Sequence, residues 1–219
     1  MKIVQSGINS LKEFGKQARP QFDTEGTFTG CCHCPGLGLK VMVHCNGELP
    51  VASAVQAGCD SVEHGFFMGK ENLRRMADSR VFWVPTAITM KAYARHLAPG
   101  STEAETARKI YGHQAEQIAL ARELGVSLAL GTDAGSLGVR HGFSVREELR
   151  ILIQTGFSVS EAVKCATWNG AELLGISREA GRIAPGYPAI FLAVKGNPSD
   201  LAENLKQVRI FHKQEFLQL

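Results

Sequence analysis

The chain has 219 residues, 44% of them hydrophobic and 21% charged, with a net charge of +3. That length can bury one substantial core with a small appendage. No basic block points to nucleic acid, the apolar runs are strand-sized rather than membrane-spanning, and Met1-Lys-Ile-Val-Gln-Ser-Gly7 lacks the apolar core of a signal peptide.

Six cysteines without a secretory signal suit a reducing cytoplasm, which is the expected location. A short strand opens the chain at residues 1–4 and breaks at Ser6-Gly7. Residues 8–30 read as loop. Cys31-Cys32-His33-Cys34-Pro35 follows. Adjacent residues do not easily turn three side chains onto one tetrahedral ion, so a helix-like turn is expected there rather than a zinc site. Leu39-Lys-Val-Met-Val-His44 is the next strand. Pro50 to Ala57 reads as a short helix with proline in its first turn. Gly58 closes it, and the strand Asp60-Ser-Val-Glu-His64 begins.

Lys70 to Ala77 reads as a helix, and Val81 to Thr86 as a strand with Pro85 at its end, where a lost ladder donor matters least. Residues 87–102 read as a long connection. Glu103 to Leu124 is an amphipathic helix closed by Gly125. Val126-Ser-Leu-Ala-Leu-Gly-Thr-Asp-Ala-Gly135 is apolar enough for a strand buried on both faces. Ser144-Val-Arg-Glu147 and Ser158-Val-Ser-Glu161 both have the form of a capping box, the second opening a helix that runs to Leu174. From Gly181 the texture changes to short β segments, so residues 181–219 form a β appendage to residues 1–180.

Strands alternating with helices predict an α/β fold with a parallel sheet. Five strand–helix units start near residues 1, 39, 60, 81 and 126. They fit an open doubly wound sheet, and equally the last five units of an eight-unit barrel. His44, His64 and Asp133 each close a strand at the same end, where such folds keep their chemistry. Each alone has a structural reading: a hydrogen-bonding histidine, or an aspartate capping a turn. Repetition at one end favours a zinc or hard-metal constellation. Arg140-His141 lies in the loop after the Asp133 strand, either to hold a substrate carboxylate or as an exposed charged loop. His96, His113 and His212 read as structural or solvent-facing, and Cys45, Cys59 and Cys165 as buried thiols.

His44-x-Asn-Gly, Ser61-Val-Glu-His64-Gly, Pro85-Thr86, Gly131-Thr-Asp133-Ala-Gly, Thr167-x-Asn-Gly-Ala-x-Leu-Leu-Gly175 and Gly181-x-Ile-x-Pro-Gly186 occur in one order along the chain. In this the sequence resembles the amidohydrolase superfamily, in its imidazolonepropionase-like and Xaa-Pro dipeptidase-like branch. The resemblance implies a (β/α)₈ barrel of the TIM type, here about strands 4–8, with C-terminal strands of a small β-sandwich. It implies that Lys2 is carboxylated by carbon dioxide, since a lysine ammonium cannot ligate a metal. It further implies His44 and His64 on one divalent metal, zinc first, and Asp133 on another and as the proton shuttle. The reaction would be hydrolysis of C–N bonds in amides, cyclic amides or dipeptides by a metal-activated water.

The family's His-x-His pair is absent from this sequence, and Pro188-Ala189-Ile190 stands where the family has Ala-Asp. By the likeness the chain corresponds to the C-terminal part of such an enzyme. Two alternatives follow: an inactive fragment or subunit completed by a second copy or a complementing chain, and a mononuclear deaminase of the same superfamily. Lys2 counts against the deaminase, because one metal has little use for a bridging carbamate.

Overall fold

Four short strands run parallel and side by side in chain order: β1 (Lys2–Val4), β2 (Met42–Cys45), β3 (Ser61–His64) and β4 (Phe82–Val84). This is a computed structural model, and it describes residues 1–23, 25–26, 37–206, 208–212 and 215–218. The Cys31–Pro35 turn expected from the sequence lies outside the described residues. Helices α1 (Glu48–Gln56) and α2 (Gly69–Ala77) make the crossovers after β2 and β3. After β4 come α3 (Ile88–His96), α4 (Thr102–Leu124), α5 (Ser144–Gln154), α6 (Val159–Ala166), α7 (Trp168–Leu174) and α8 (Leu201–Asn204). A second, antiparallel sheet contains β5 (Ile190–Val194), β6 (Val208–His212) and β7 (Glu215–Gln218).

The register places Lys2 opposite Met42, Val4 opposite His44 and Cys45 opposite His64. Side chains alternate across a strand. Val43, Cys45, Val62 and Trp83 therefore share one face, and none has solvent exposure. They join Leu73 and Met76 of α2, Ile118 and Ala121 of α4, and Ile151 and Leu152 of α5 in one apolar core. The other face carries Lys2, Val4, Met42, His44, Ser61 and Glu63, and there Lys2, Val4 and Met42 are exposed.

The fifth predicted strand is present only as an extended segment. Trp83 N donates to Ser127 O (2.8 Å) and Ala129 N donates to Trp83 O (2.9 Å), so Leu128 runs parallel beside β4. Leu128 and Ala129 are buried as expected. The next backbone bond there, from Leu130 N, goes to Cys165 O of α6 and not to a strand (3.0 Å).

Four local expectations are corrected. Residues 88–96 are helical rather than connecting. The helix is started by a distant group: Glu148 of α5 accepts the backbone N–H groups of Ala87 (2.9 Å) and Ile88 (2.8 Å). Ser144 does not cap α5, because its hydroxyl accepts Arg140 N (2.9 Å) while Glu147 pairs with Arg150 and Lys91. The 158–174 helix is two helices, broken at Thr167 (φ −127°, ψ −83°). The Ser158–Glu161 capping box is formed reciprocally, and Ser101 Oγ with Gly125 in the left-handed region (φ 77°) delimits α4. The 181–186 segment forms turns, not a strand.

Leu73 has no exposure and lies at the centre of the helix-facing core. Leu73→Ala is expected to cost 2–5 kcal/mol of unfolding free energy, about the range for a buried leucine truncation. Urea unfolding followed by far-UV circular dichroism checks it; a loss well under that range would mean the α2–sheet interface is loosely packed.

Candidate active site at the strand ends

Three strand-end residues that are not glycine adopt a left-handed backbone: His64 (φ 68°), Thr86 (φ 47°) and Asp133 (φ 52°). Such a conformation strains ordinary residues, most of all a β-branched one such as Thr86. Strain of this kind persists only where the surroundings enforce it, and it clusters at functional sites. At His64 it also resets the pleat, because strict alternation would send this side chain to the helix face with Val62. Instead the His64 ring meets the His44 ring edge to face, with centroids 4.5 Å apart.

Buried polar groups hold the turns in place. Trp83 Nε1 (3.0 Å) and Gln114 Nε2 (2.6 Å) both donate to His64 O. Gln114 Nε2 also donates to Pro85 O (3.2 Å). Thr86 Oγ1 and His64 Nδ1 share a hydrogen bond of 2.7 Å. On β2, Asn46 Oδ1 accepts Phe66 N (3.0 Å), and Asn46 N donates to Ser6 Oγ (2.8 Å), tying the ends of β1, β2 and β3 together. His44 is held by a hydrogen bond to the backbone of Gly7.

Both imidazoles are kept neutral. Burial lowers the His64 pKa to about 4, with the neighbouring His44 and Lys2 acting in the same direction and Asp133 opposing them. Burial also lowers His44, against its bond to Gly7 and the field of Asp133. Neutral imidazoles are the form that ligates metals. The structure thus brings His44 and His64 into contact, and Lys2 and Asp133 act on both through their charge. Asp133 is exposed and accepts Ser136 Oγ at 2.9 Å. Lys2 is exposed on β1, two residues before the register position of His44. Among the described residues, no three His, Cys, Asp or Glu side chains are grouped to hold a metal. The imidazole pair fits a divalent cation; Lys2 as an ammonium offers it no donor.

Arg140 and His141 are both exposed. Arg140 stacks over Phe143 (4.3 Å) and lines a cleft of about 360 Å³ together with Arg95, His96 and Glu147. His141 is not among the residues lining that cleft. His96 bonds Ala92 O (2.9 Å), and half-buried His113 lies against Phe67 (4.8 Å), so both have structural contacts. Cys45, Cys59 and Cys165 are buried thiols.

Sequence reading missed four contributors. Gln114 and Gln117 sit on the buried face of α4, and a glutamine there reads as helix surface. Gln117 Nε2 donates to Gly65 O (3.3 Å) and to Gln114 Oε1 (2.7 Å). Glu63 shares the face of Lys2; burial raises its pKa, while the Ser61 hydroxyl and Lys2 lower it. Glu148 is wholly buried, and burial raises its pKa to about 7 against its two backbone N–H donors. Strand alternation could have flagged Glu63. Nothing local flags the other three.

The amidohydrolase family model matches residues 34–214, and the chain belongs to that family. It is 25% identical over 177 residues to ochratoxinase of Aspergillus niger, covering 79% of this chain and 35% of that protein. It is 27% identical over 181 residues to imidazolonepropionase of Syntrophobacter fumaroxidans, covering 78% of this chain and 37% of that protein. Among solved structures, that of a Xaa-Pro dipeptidase with bound methionine superposes with a TM-score of 0.86 at 29% identity, over 100% of this chain and 54% of the other. The fold is thus a mixed α/β fold like that of the amidohydrolase barrels. The chain spans a little over a third of the curated relatives' length and about half of the solved one's. Among the described residues no helix is long and apolar enough to cross a membrane.

The free histidine value is 6.5 and that of folded His64 about 4, so the unfolded chain takes up a proton first as pH falls between them. The stabilising contribution is therefore present above that window and is lost as pH drops through it, by up to about 3 kcal/mol. Metal-free protein should show this acid limb in chemical unfolding, and His64→Gln should flatten it. Equal slopes in the two proteins would refute the assignment. A Cβ on Gly65 (φ +61°) would lie 2.3 Å from Met68 Cε and 2.8 Å from Trp83 Nε1, whereas one on Gly58 (φ +74°) meets nothing within 4 Å. Gly65→Ala should cost on the order of 2–4 kcal/mol and Gly58→Ala about 1. Equal costs would mean that the β3 turn is not tightly packed.

Proposed function

We propose that this chain carries the strand-end half of a metal-dependent hydrolase that cleaves C–N bonds in small amides, cyclic amides or dipeptides. The observation that carries the reading is the neutral His44–His64 pair at the strand ends, with Asp133 acting on both, in a chain of the amidohydrolase family. His44 and His64 would hold a divalent ion, zinc first, with one or two ions in the complete site. Lys2 would join them once its ammonium, after giving up a proton to solvent, adds carbon dioxide and releases a second proton, which leaves an anionic carbamate oxygen donor. The metal supplies polarisation of the scissile carbonyl and acidification of water.

The chain's own groups do the rest. Asp133 takes a proton from the attacking water and returns it to the departing amine, and its exposure leaves it accessible to both. Arg140 and His141, on the loop after Asp133, meet a substrate carboxylate. Further donors, such as the family's His-x-His pair, would come from residues outside this sequence. The xaa-proline and N-acyl amino acid classes are the first substrates to try, since both carry a free carboxylate beside the amide.

Chain purified from cells supplied with zinc and bicarbonate is expected to carry about one or two equivalents of zinc by plasma mass spectrometry. His44→Ala and His64→Ala should each remove most of it. With a dipeptide panel, Asp133→Asn should lower kcat about 10²–10⁴-fold, the usual contribution of general acid–base catalysis. Zinc content indifferent to both histidine changes overturns the reading.

A further inference from the structure

The Pro85–Thr86–Ala87 turn is gripped from two sides. Gln114 Nε2, from α4, donates to the carbonyls of Pro85 (3.2 Å) and His64 (2.6 Å). Glu148, from α5, accepts the N–H groups of Ala87 (2.9 Å) and Ile88 (2.8 Å), one on each carboxyl oxygen. Both grips are fully buried: neither Gln114 nor Glu148 has solvent exposure. Between them Thr86 is held at φ 47°, a conformation that a β-branched residue adopts only under constraint. The constraint presents the Thr86 hydroxyl to His64, whose Nδ1 meets Thr86 Oγ1 at 2.7 Å.

We propose that Glu148 is a positioning residue for His64: by holding the two N–H groups after Thr86 it aims the Thr86 hydroxyl at His64 Nδ1. That hydrogen bond fixes the ring plane and places the proton on Nδ1, leaving the Nε2 lone pair for a ligand. A buried carboxylate is an expensive way to start a helix, since an N-cap serine does the same at the surface. The Ala87 N-cap position has no side chain able to do so. A serine there would satisfy the helix N–H groups but would leave the Thr86 turn free to relax. Outer hydrogen bonds to a ligating imidazole typically change metal affinity about 10–100-fold. The consequence for metal rests on the proposed function; the ring geometry does not.

The test therefore begins with metal-free protein. Long-range ¹H–¹⁵N correlation spectra, taken well above the imidazole titration range, report the His64 tautomer directly. Wild type is expected to show one tautomer, protonated at Nδ1. Glu148→Ala and Thr86→Val should both give a mixture of tautomers. Thr86→Ser, which keeps the hydroxyl, should retain the single one. Glu148→Gln is nearly isosteric and keeps one acceptor, so it should fold where alanine fails and show an intermediate mixture. Leu73→Ala serves as a destabilised control and should leave the tautomer unchanged.

A single unchanged tautomer in a folded Glu148 variant overturns the proposal and leaves Glu148 a helix cap. So does a wild-type spectrum with the proton on Nε2. Zinc titration then separates the two readings. If zinc binds and Glu148→Gln weakens it about 10-fold or more, the positioning extends to the metal. If wild type binds no zinc, the proposed function fails while the tautomer result stands.

Discussion

Backbone strain at the ends of the strands is the constraint on which the site depends. A parallel strand delivers alternate side chains to opposite faces, so a strand alone cannot put both His44 and His64 on the polar side. The left-handed step at His64 breaks the alternation and brings the second ring over. Left-handed residues other than glycine cost roughly 1–3 kcal/mol each, while a net hydrogen bond contributes about 1 kcal/mol. One bond per turn is thus not enough. The His64 carbonyl accepts two side-chain donors, and the Thr86 carbonyl accepts both N and Oγ1 of Thr89. Asp133 needs less support, because a short polar side chain tolerates this conformation and can bond locally, here with Ser136.

The same burial that holds the turns sets the electrostatics. Desolvation is the largest influence on His44, His64 and Glu63 alike, and in each case it favours the neutral form. Lys2 and Asp133 then act with opposite sign on all three. Converting the Lys2 ammonium to an anionic carbamate would reverse the sign of its influence: it would then favour protonated imidazoles unless a cation took the proton's place. A carbamate at Lys2 and a divalent cation beside the imidazoles would therefore favour each other.

Much of this was legible in the sequence, and what was not shares one cause. Strand positions and the histidine and aspartate ends could be read because hydrophobic runs and their stops are local. The Ser158–Glu161 box could be read because both halves lie within one turn. Residues 88–96 were misread because their helix start is Glu148, 60 residues away. Ser144 was misread because its hydroxyl is engaged by Arg140 N in the preceding loop. Thr167 stands at the helix break with its hydroxyl donating back to Val163 O, and no pattern in the sequence separates such a residue from an ordinary helical threonine. In the site, the histidines were visible, whereas Gln114, Gln117 and Glu148 were not. Polar residues at buried helix positions look like surface until the strand ends they serve are in place.

The sheet divides its two duties between its two faces. The helix-facing side is dry: Val43, Cys45, Val62 and Trp83 have no exposure and belong to one apolar cluster. The other side carries Lys2, His44 and Glu63 beside exposed Val4 and Met42. Parallel sheets are ordinarily covered on both faces, so the polar face is where further groups have the most to gain by docking. The exposed Val4 and Met42 offer an apolar footing next to the imidazole pair. Any element that covers them is brought to His44, because Val4 lies opposite His44 in the register.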